Sequence, residues 1–253
     1  MNKASDEALP ELASFLEPFV SLIRNRQSRQ SLERYLTGLL TDLPRKNCDT
    51  VAAALANTTT ERLQHLLTDA TWNPLEMDEA RVRFMSQHSP SGGVLVLDDT
   101  GLPKRGKASV GVAHQYSGTL GKQGDCQVVV TAEYVAADAS TSLPLHWPVQ
   151  ARLYLPRVWA EDPLRRRRTH IPESVTFAPK TDLALALLDQ ARGWQVPFSA
   201  VVADAGYGDA SSFLHHLEDR QVAYVCAVAR SFGVRLPHEI AEAAESPTTP
   251  LPR

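Results

Sequence analysis

Residues 94–126 read VLVLDDTGLPKRGKASVGVAHQYSGTLGKQGDC. The first four are an unbroken apolar run, the pattern of a strand buried on both faces. The run ends in Asp98-Asp99. A second apolar run, residues 198–203, ends in Asp204. A strand is rigid, so carboxylates at the ends of buried central strands are held at a fixed separation. That arrangement suits a shared divalent cation. Mg²⁺ is a hard ion that prefers oxygen, commonly from one or two carboxylates plus substrate phosphates. Two such ions, roughly 3.5–4 Å apart, clamp the attacking and leaving oxygens of a phosphodiester. The alternative is that each Asp caps the turn or helix that follows it, and the residues alone leave both readings open. A phosphatase of the D-x-D type is a poor fit. The two acids are adjacent, and three strands precede the first crossover helix.

Working outward, residues 127–136 and 143–155 read as two more strands. Residues 180–194 form an amphipathic helix with Leu183, Leu187 and Leu188 on one side. Residues 198–203 are a strand, 210–220 a helix and 223–229 a last strand. The order is β-β-β-α-β-α-β, an α/β fold with a mixed sheet. Residues 114–122, HQYSGTLGK, carry glycines without a phosphate-loop pattern and read as a turn. On the N-terminal side, Ser89-Pro90-Ser91-Gly92-Gly93 is a punctuated linker. Before it the periodicity is helical. Leu12, Phe15, Leu16, Phe19, Val20 and Ile23 form one stripe, interrupted by Pro18. Leu32, Tyr35, Leu36, Leu39, Leu40 and Leu43 form a second, stopped by Pro44. Asp49 or Thr50 is a candidate cap for a third helix, and Thr59 or Thr60 for a fourth. Pro74 opens a fifth that runs to about Gln87. The expected domains are helical residues 1–90, an α/β unit over 91–235, and a tail over 236–253. The tail composition, ending SPTTPLPR, predicts disorder.

The chain has 253 residues, 43% hydrophobic and 22% charged, a globular composition. No apolar run reaches the roughly 18–20 residues of a membrane span, and the N-terminus lacks an apolar signal region. Cys48, Cys126 and Cys226 are far apart, which argues against a zinc site or disulfide framework and suits a reducing cytosol. The expected location is cytoplasmic. The net charge of −3 argues against a protein that coats nucleic acid indiscriminately. The charge is uneven, however. Residues 91–180 hold 11 Lys/Arg against 8 Asp/Glu, and residues 181–253 hold 5 against 9. Lys104, Arg105 and Lys107 follow the acidic pair directly, where cations would hold a phosphate backbone against a metal site. Arg165, Arg166, Arg167 and Arg168 form a second basic run, either a solvated loop or a DNA-tracking one. The histidines lack metal-ligand spacing. Trp72, Trp147, Trp159 and Trp194 read as core or interface.

Residues 94–126 resemble the bacterial insertion-sequence transposases of the DDE, ribonuclease H-like superfamily. The likeness lies in a strand ending D-D-T-G-x-P-K-x-G and in the following G-V-x-x-Q-Y-S-G-T-x-G-K. Residues 202–208 (VADAGYG) resemble the second acidic motif, and residues 36–47 and 66–72 resemble the helical region of the same group. The resemblance spans residues 15–235. It implies a ribonuclease H-like catalytic domain behind a helical domain that helps bind transposon ends. It implies Mg²⁺- or Mn²⁺-dependent hydrolysis and strand transfer on double-stranded DNA, at terminal repeats and target. Asp99 is the expected first catalytic carboxylate and Asp204 the second, with Asp98 a further metal-ligand candidate. Lys104, Arg105, Lys107, Lys122 and Arg165–Arg168 are the expected DNA contacts. A homodimer, or a mixed assembly with full-length transposase, associated with the nucleoid, is the implied state. His114 stands where the group often has Arg, and Asp125 where Asn is common. The group's third carboxylate is a helical Glu beyond an inserted β-rich segment, so the chain reads as C-terminally truncated. Glu239, Glu242 and Glu245 lie 35, 38 and 41 residues after Asp204, a spacing that suits enzymes without the insertion. The rival reading is a catalytically inactive relative that binds DNA or regulates transposition.

Overall fold

A computed structural model describes residues 10–233. The expectations for the tail, and for Glu239, Glu242 and Glu245, lie outside the described residues. The chain divides into two compact units, with the boundary between Met85 and Ser86.

The first unit is helical: α1 (Pro10–Val20), α2 (Arg26–Leu40), α3 (Cys48–Ala54), α4 (Thr60–Thr68) and α5 (Pro74–Gln87). Leu12, Leu16 and Phe19 recur at helical spacing and bury one face of α1 against Leu32, Leu36, Met77, Ala80 and Phe84. The helix continues through Pro18 and ends two residues later. A second cluster joins Val51, Ala52, Leu55 and Leu63 with Tyr35 and Leu43. Val51 sits so close to Gly38 that a side chain on Gly38 would collide with it. The cap of α3 is Asn47, not Asp49 or Thr50. Asn47 Oδ1 accepts from Thr50 N at 2.9 Å, and Thr50 Oγ1 accepts from Asn47 N at 3.2 Å. This capping box satisfies two otherwise unpaired donors at once. Thr59 caps α4 as expected.

The second unit is a mixed sheet: β1 (Gly93–Pro103), β2 (Ala113–Ser117), β3 (Lys122–Ala136), β4 (Leu145–Leu153), β5 (Phe198–Ala203) and β6 (Ala223–Cys226). The order is β2-β3-β1-β5-β6, with β4 also paired to β3. β3 runs antiparallel to β1, and β5 and β6 run parallel to it. With β2 set aside, this is the ribonuclease H-like arrangement that the family resemblance implied. Helix α8 (Lys180–Gly193) packs across β3, β4 and β1. Its residues Ala184, Leu187, Leu188 and Ala191 are buried, as are Leu95, Leu97, Val128, Val130, Ala132 and Tyr134 of the strands. Strand alternation sends every second residue to the other face. There Val94, Val96, Val129, Thr131, Glu133, Val135 and Val202 are only half-buried, and Val225 is 68% exposed.

The remaining short helices are α6 (Arg157–Ala160), α7 (Pro163–Arg168), α9 (Ala205–Gly208) and α10 (Ser211–Asp219). Trp159 is buried and its indole N–H donates to Val112 O at 2.8 Å. Trp147 and Trp194 are also buried, and Trp72 is half-buried. Two expectations change. Residues 113–117 form strand β2 rather than part of a turn. A single 3-10 turn, residues 118–120, then leads to Gly121 at φ 62° and into β3. The apolar run also does not end β1 at Leu97. Pairing with β3 carries the strand on to Pro103.

Candidate functional site

The acidic residues sit where the sheet forks. β1 and β5 run side by side until Leu97 pairs with Ala203, and the next residues are Asp98 and Asp204. Beyond that point β5 turns away. Asp204 caps α9, its Oδ1 accepting from Gly206 N at 2.9 Å. β1 continues against β3 alone, with Asp98 opposite Thr131 and Asp99 opposite Val130. The turn required by the capping reading is therefore present at Asp204, but it leaves that carboxylate exposed beside Asp98.

Adjacent residues of a strand point to opposite faces, and the two acids have different surroundings. Asp99 faces the α8 side, where Lys180 Nζ lies 2.9 Å from its Oδ2. Asp98 is level with Asp204 on the other face. Partial desolvation pushes the Asp98 carboxyl above the ordinary carboxylate range. The hydrogen bond from Asp99 N, at 2.7 Å, opposes that rise, while the negative charges of Asp204, Asp99 and Glu133 add to it. Tyr207, one turn after Asp204, is buried, and its hydroxyl lies near the Asp99 carboxylate. Burial first, then the charges of Asp99, Asp98 and Asp204, push its acidity far down, so the phenol stays neutral. Its role beside the acids was not legible in the sequence. The only signal was its place in the VADAGYG stretch.

Asp98, whose ionisation is opposed by burial and by the neighbouring Asp204 charge, is a carboxylate that a hard divalent cation relieves. The residues present fit such an ion as a two-carboxylate platform. Among the described residues, no group of three or more His, Cys, Asp or Glu is placed to hold a metal.

The basic residues divide as well. Lys104, Arg105 and Lys122 are exposed. Lys107 reaches Asp125 at 3.8 Å, and His114, directly opposite Asp125, reaches it at 3.4 Å. The two positions that depart from the group's usual residues therefore face each other. The arginine run is not a loop but helix α7, capped by Asp162. Arg166 is committed to structure, donating to the carbonyls of Val175 and Pro172 at 2.8 Å each. Arg165 pairs with Asp162 at 3.3 Å and lies over the Trp159 ring. Arg167 and Arg168 are exposed. No helix among the described residues is long and apolar enough to cross a membrane.

The chain is 23% identical over 220 residues to a protein described as a probable transposase for insertion sequence element IS701, from Microchaete diplosiphon. The match covers 86% of this chain and 53% of the relative, so the chain spans about half of that relative's length. Among solved structures, the Drosophila P element transposase strand transfer complex is similar at 12% identity and a TM-score of 0.27. That match covers 85% of this chain and 47% of that one, a likeness too slight to bear on the fold. A family model described as DDE superfamily endonuclease matches residues 18–251. With nearly the whole chain matched, the protein belongs to the DDE superfamily endonuclease family.

Proposed function

We propose that this chain is part of an insertion-sequence transposase that cuts and joins DNA at phosphodiesters, using Mg²⁺ or Mn²⁺. The observation that carries the reading is the level placement of Asp98 and Asp204 at the fork between two parallel central strands. Asp98 and Asp204 would hold the ion. When bound, it would supply Lewis-acid stabilisation of the phosphate oxygens. Asp99, the first choice from sequence, is instead a positioning residue, because its carboxylate is engaged by Lys180. Lys180 in turn ties the start of α8 to β1 beside the reacting centre. Tyr207, held neutral, lies beside the three acids without adding charge. Lys104, Arg105, Lys107 and Lys122 contact the phosphate backbone. Arg167 and Arg168 do so on α7, and Arg165 and Arg166 hold that helix. The helical unit contributes to binding the element's terminal repeats. The protein acts as a homodimer, or in mixed assembly with a longer transposase.

The test is metal-dependent cleavage of a duplex carrying the terminal repeat, with wild type beside Asp98→Asn, Asp99→Asn and Asp204→Asn. Loss in Asp98→Asn and Asp204→Asn, with partial retention in Asp99→Asn, supports the assignment. Full activity in Asp98→Asn overturns it. The second reading is a protein that binds the repeat without cutting it. Repeat binding without cleavage by the wild type would establish that reading.

A further inference from the structure

Tyr116 lies within the long motif but has no part in the carboxylate site. It stands in β2, 63% exposed. In an antiparallel ladder, residues directly opposite share a face, and alternate residues keep it. Asp98 is opposite Thr131, and Leu102 is opposite Gln127. His114 is opposite Asp125, and Tyr116 is opposite Gln123. The ladder has no bulge along these pairs, so Asp98, Leu102, His114 and Tyr116 belong to one face of the sheet. Lys104 extends it, its backbone N–H bonded to Asp125 O at 2.9 Å. The result is an exposed aromatic ring with an exposed Leu102 and the cations Lys104 and Lys107, on the face that carries Asp98. The ribbon is anchored. Thr119 Oγ1 donates to Gly101 O at 2.7 Å, and Ser117 is fully buried against Gly101. Tyr116 is therefore presented by a fixed element.

Cations along a backbone path beside an exposed aromatic are the combination that binds unpaired nucleic acid, the ring stacking on a base. We propose that Tyr116 is a base-stacking platform: it receives an unpaired base of a DNA strand whose phosphates lie on Lys104 and Lys107, and so favours DNA with unpaired nucleotides over full duplex. This rests on the DNA reading above and adds the form of DNA that the site selects.

Stacking tolerates any base, so the test needs no terminal repeat. The full 253-residue chain is titrated with an arbitrary-sequence duplex, blunt or with a short single-stranded extension carrying 2-aminopurine. Wild type is expected to prefer the extended duplex by about tenfold and to quench the 2-aminopurine. Tyr116→Ala, an exposed substitution checked for folding by circular dichroism, is expected to lose both effects while binding the blunt duplex unchanged. Tyr116→Phe is expected to keep both. A wild type that binds the two duplexes equally, or a Tyr116→Ala variant that keeps the preference, overturns the stacking proposal alone. A wild type that binds neither duplex overturns the DNA reading and this proposal together.

Discussion

One face of the sheet is sealed by α8, and the other is half-open. Leu97 and Asp99 point to the first, where Leu97 is fully buried and Asp99 is held by Lys180. Val96 and Asp98 point to the second, where Val96 is half-buried and Asp98 meets Asp204. On the proposed reading, the carboxylate on the sealed face is structural, because Lys180 already partners it. The carboxylate on the open face is exposed and has a like-charged neighbour. Two adjacent aspartates thus acquire different surroundings through strand alternation alone.

The sharpest way to break this contrast is metal binding. Mn²⁺ binding, followed by water proton relaxation, is expected to vanish in Asp98→Asn and in Asp204→Asn. In Asp99→Asn it weakens by roughly 10–100-fold, the effect of losing a supporting residue. Equal losses at Asp98 and Asp99 would erase the distinction. The packing contrast comes next. Leu97→Ala on the sealed face is expected to cost about 2–5 kcal/mol in urea unfolding, and Val96→Ala on the open face roughly 1 kcal/mol. A loss of about 1–3 kcal/mol, below that of Leu97→Ala, is expected for Gly101→Ala, whose new methyl would collide with Ser117 on the sealed face. Gly118→Ala is the control, since nothing lies within 4 Å of the added carbon. The smallest effect is a pH dependence measured in chelator. Folding raises the Asp98 carboxyl, so the folded state binds protons more tightly there, and stability falls as pH climbs out of the ordinary carboxylate range. Metal-free Asp98→Asn should melt above wild type at neutral pH, and the gap should close on acidification.

The strands with unbroken apolar runs, the amphipathic helices and all three acids were legible from residue pattern. What pattern misses is pairing. Residues 113–117, AHQYS, carry no apolar run, and form a strand because β3 extends past Cys126 to receive them. The end of β1 is misjudged for the same reason, since polarity begins at Asp98 while the β3 ladder runs on. The ranking of Asp99 over Asp98 came from motif likeness. Which one faces Asp204 follows from register with β5, which no local window contains. Arg166 shows the converse. A run of four arginines looks uniform in sequence, yet one of them lies within reach of the carbonyls at residues 172 and 175 and is spent on them.

The doubled acid carries a further consequence. Because residues 98 and 99 are identical, sliding β1 by one position would still leave a carboxylate on each face. Charge is therefore blind to such a slip. What is not blind is steric fit: a slipped strand would offer Thr100 or Leu102 to the slot at Ser117 that admits only Gly101. The hydroxyl of Tyr134, which accepts from Gly93 N and donates to Pro90 O, would lose its seat as well. The chemistry of the fork is thus indexed by a missing methyl group and a buried phenol, neither of which carries any charge.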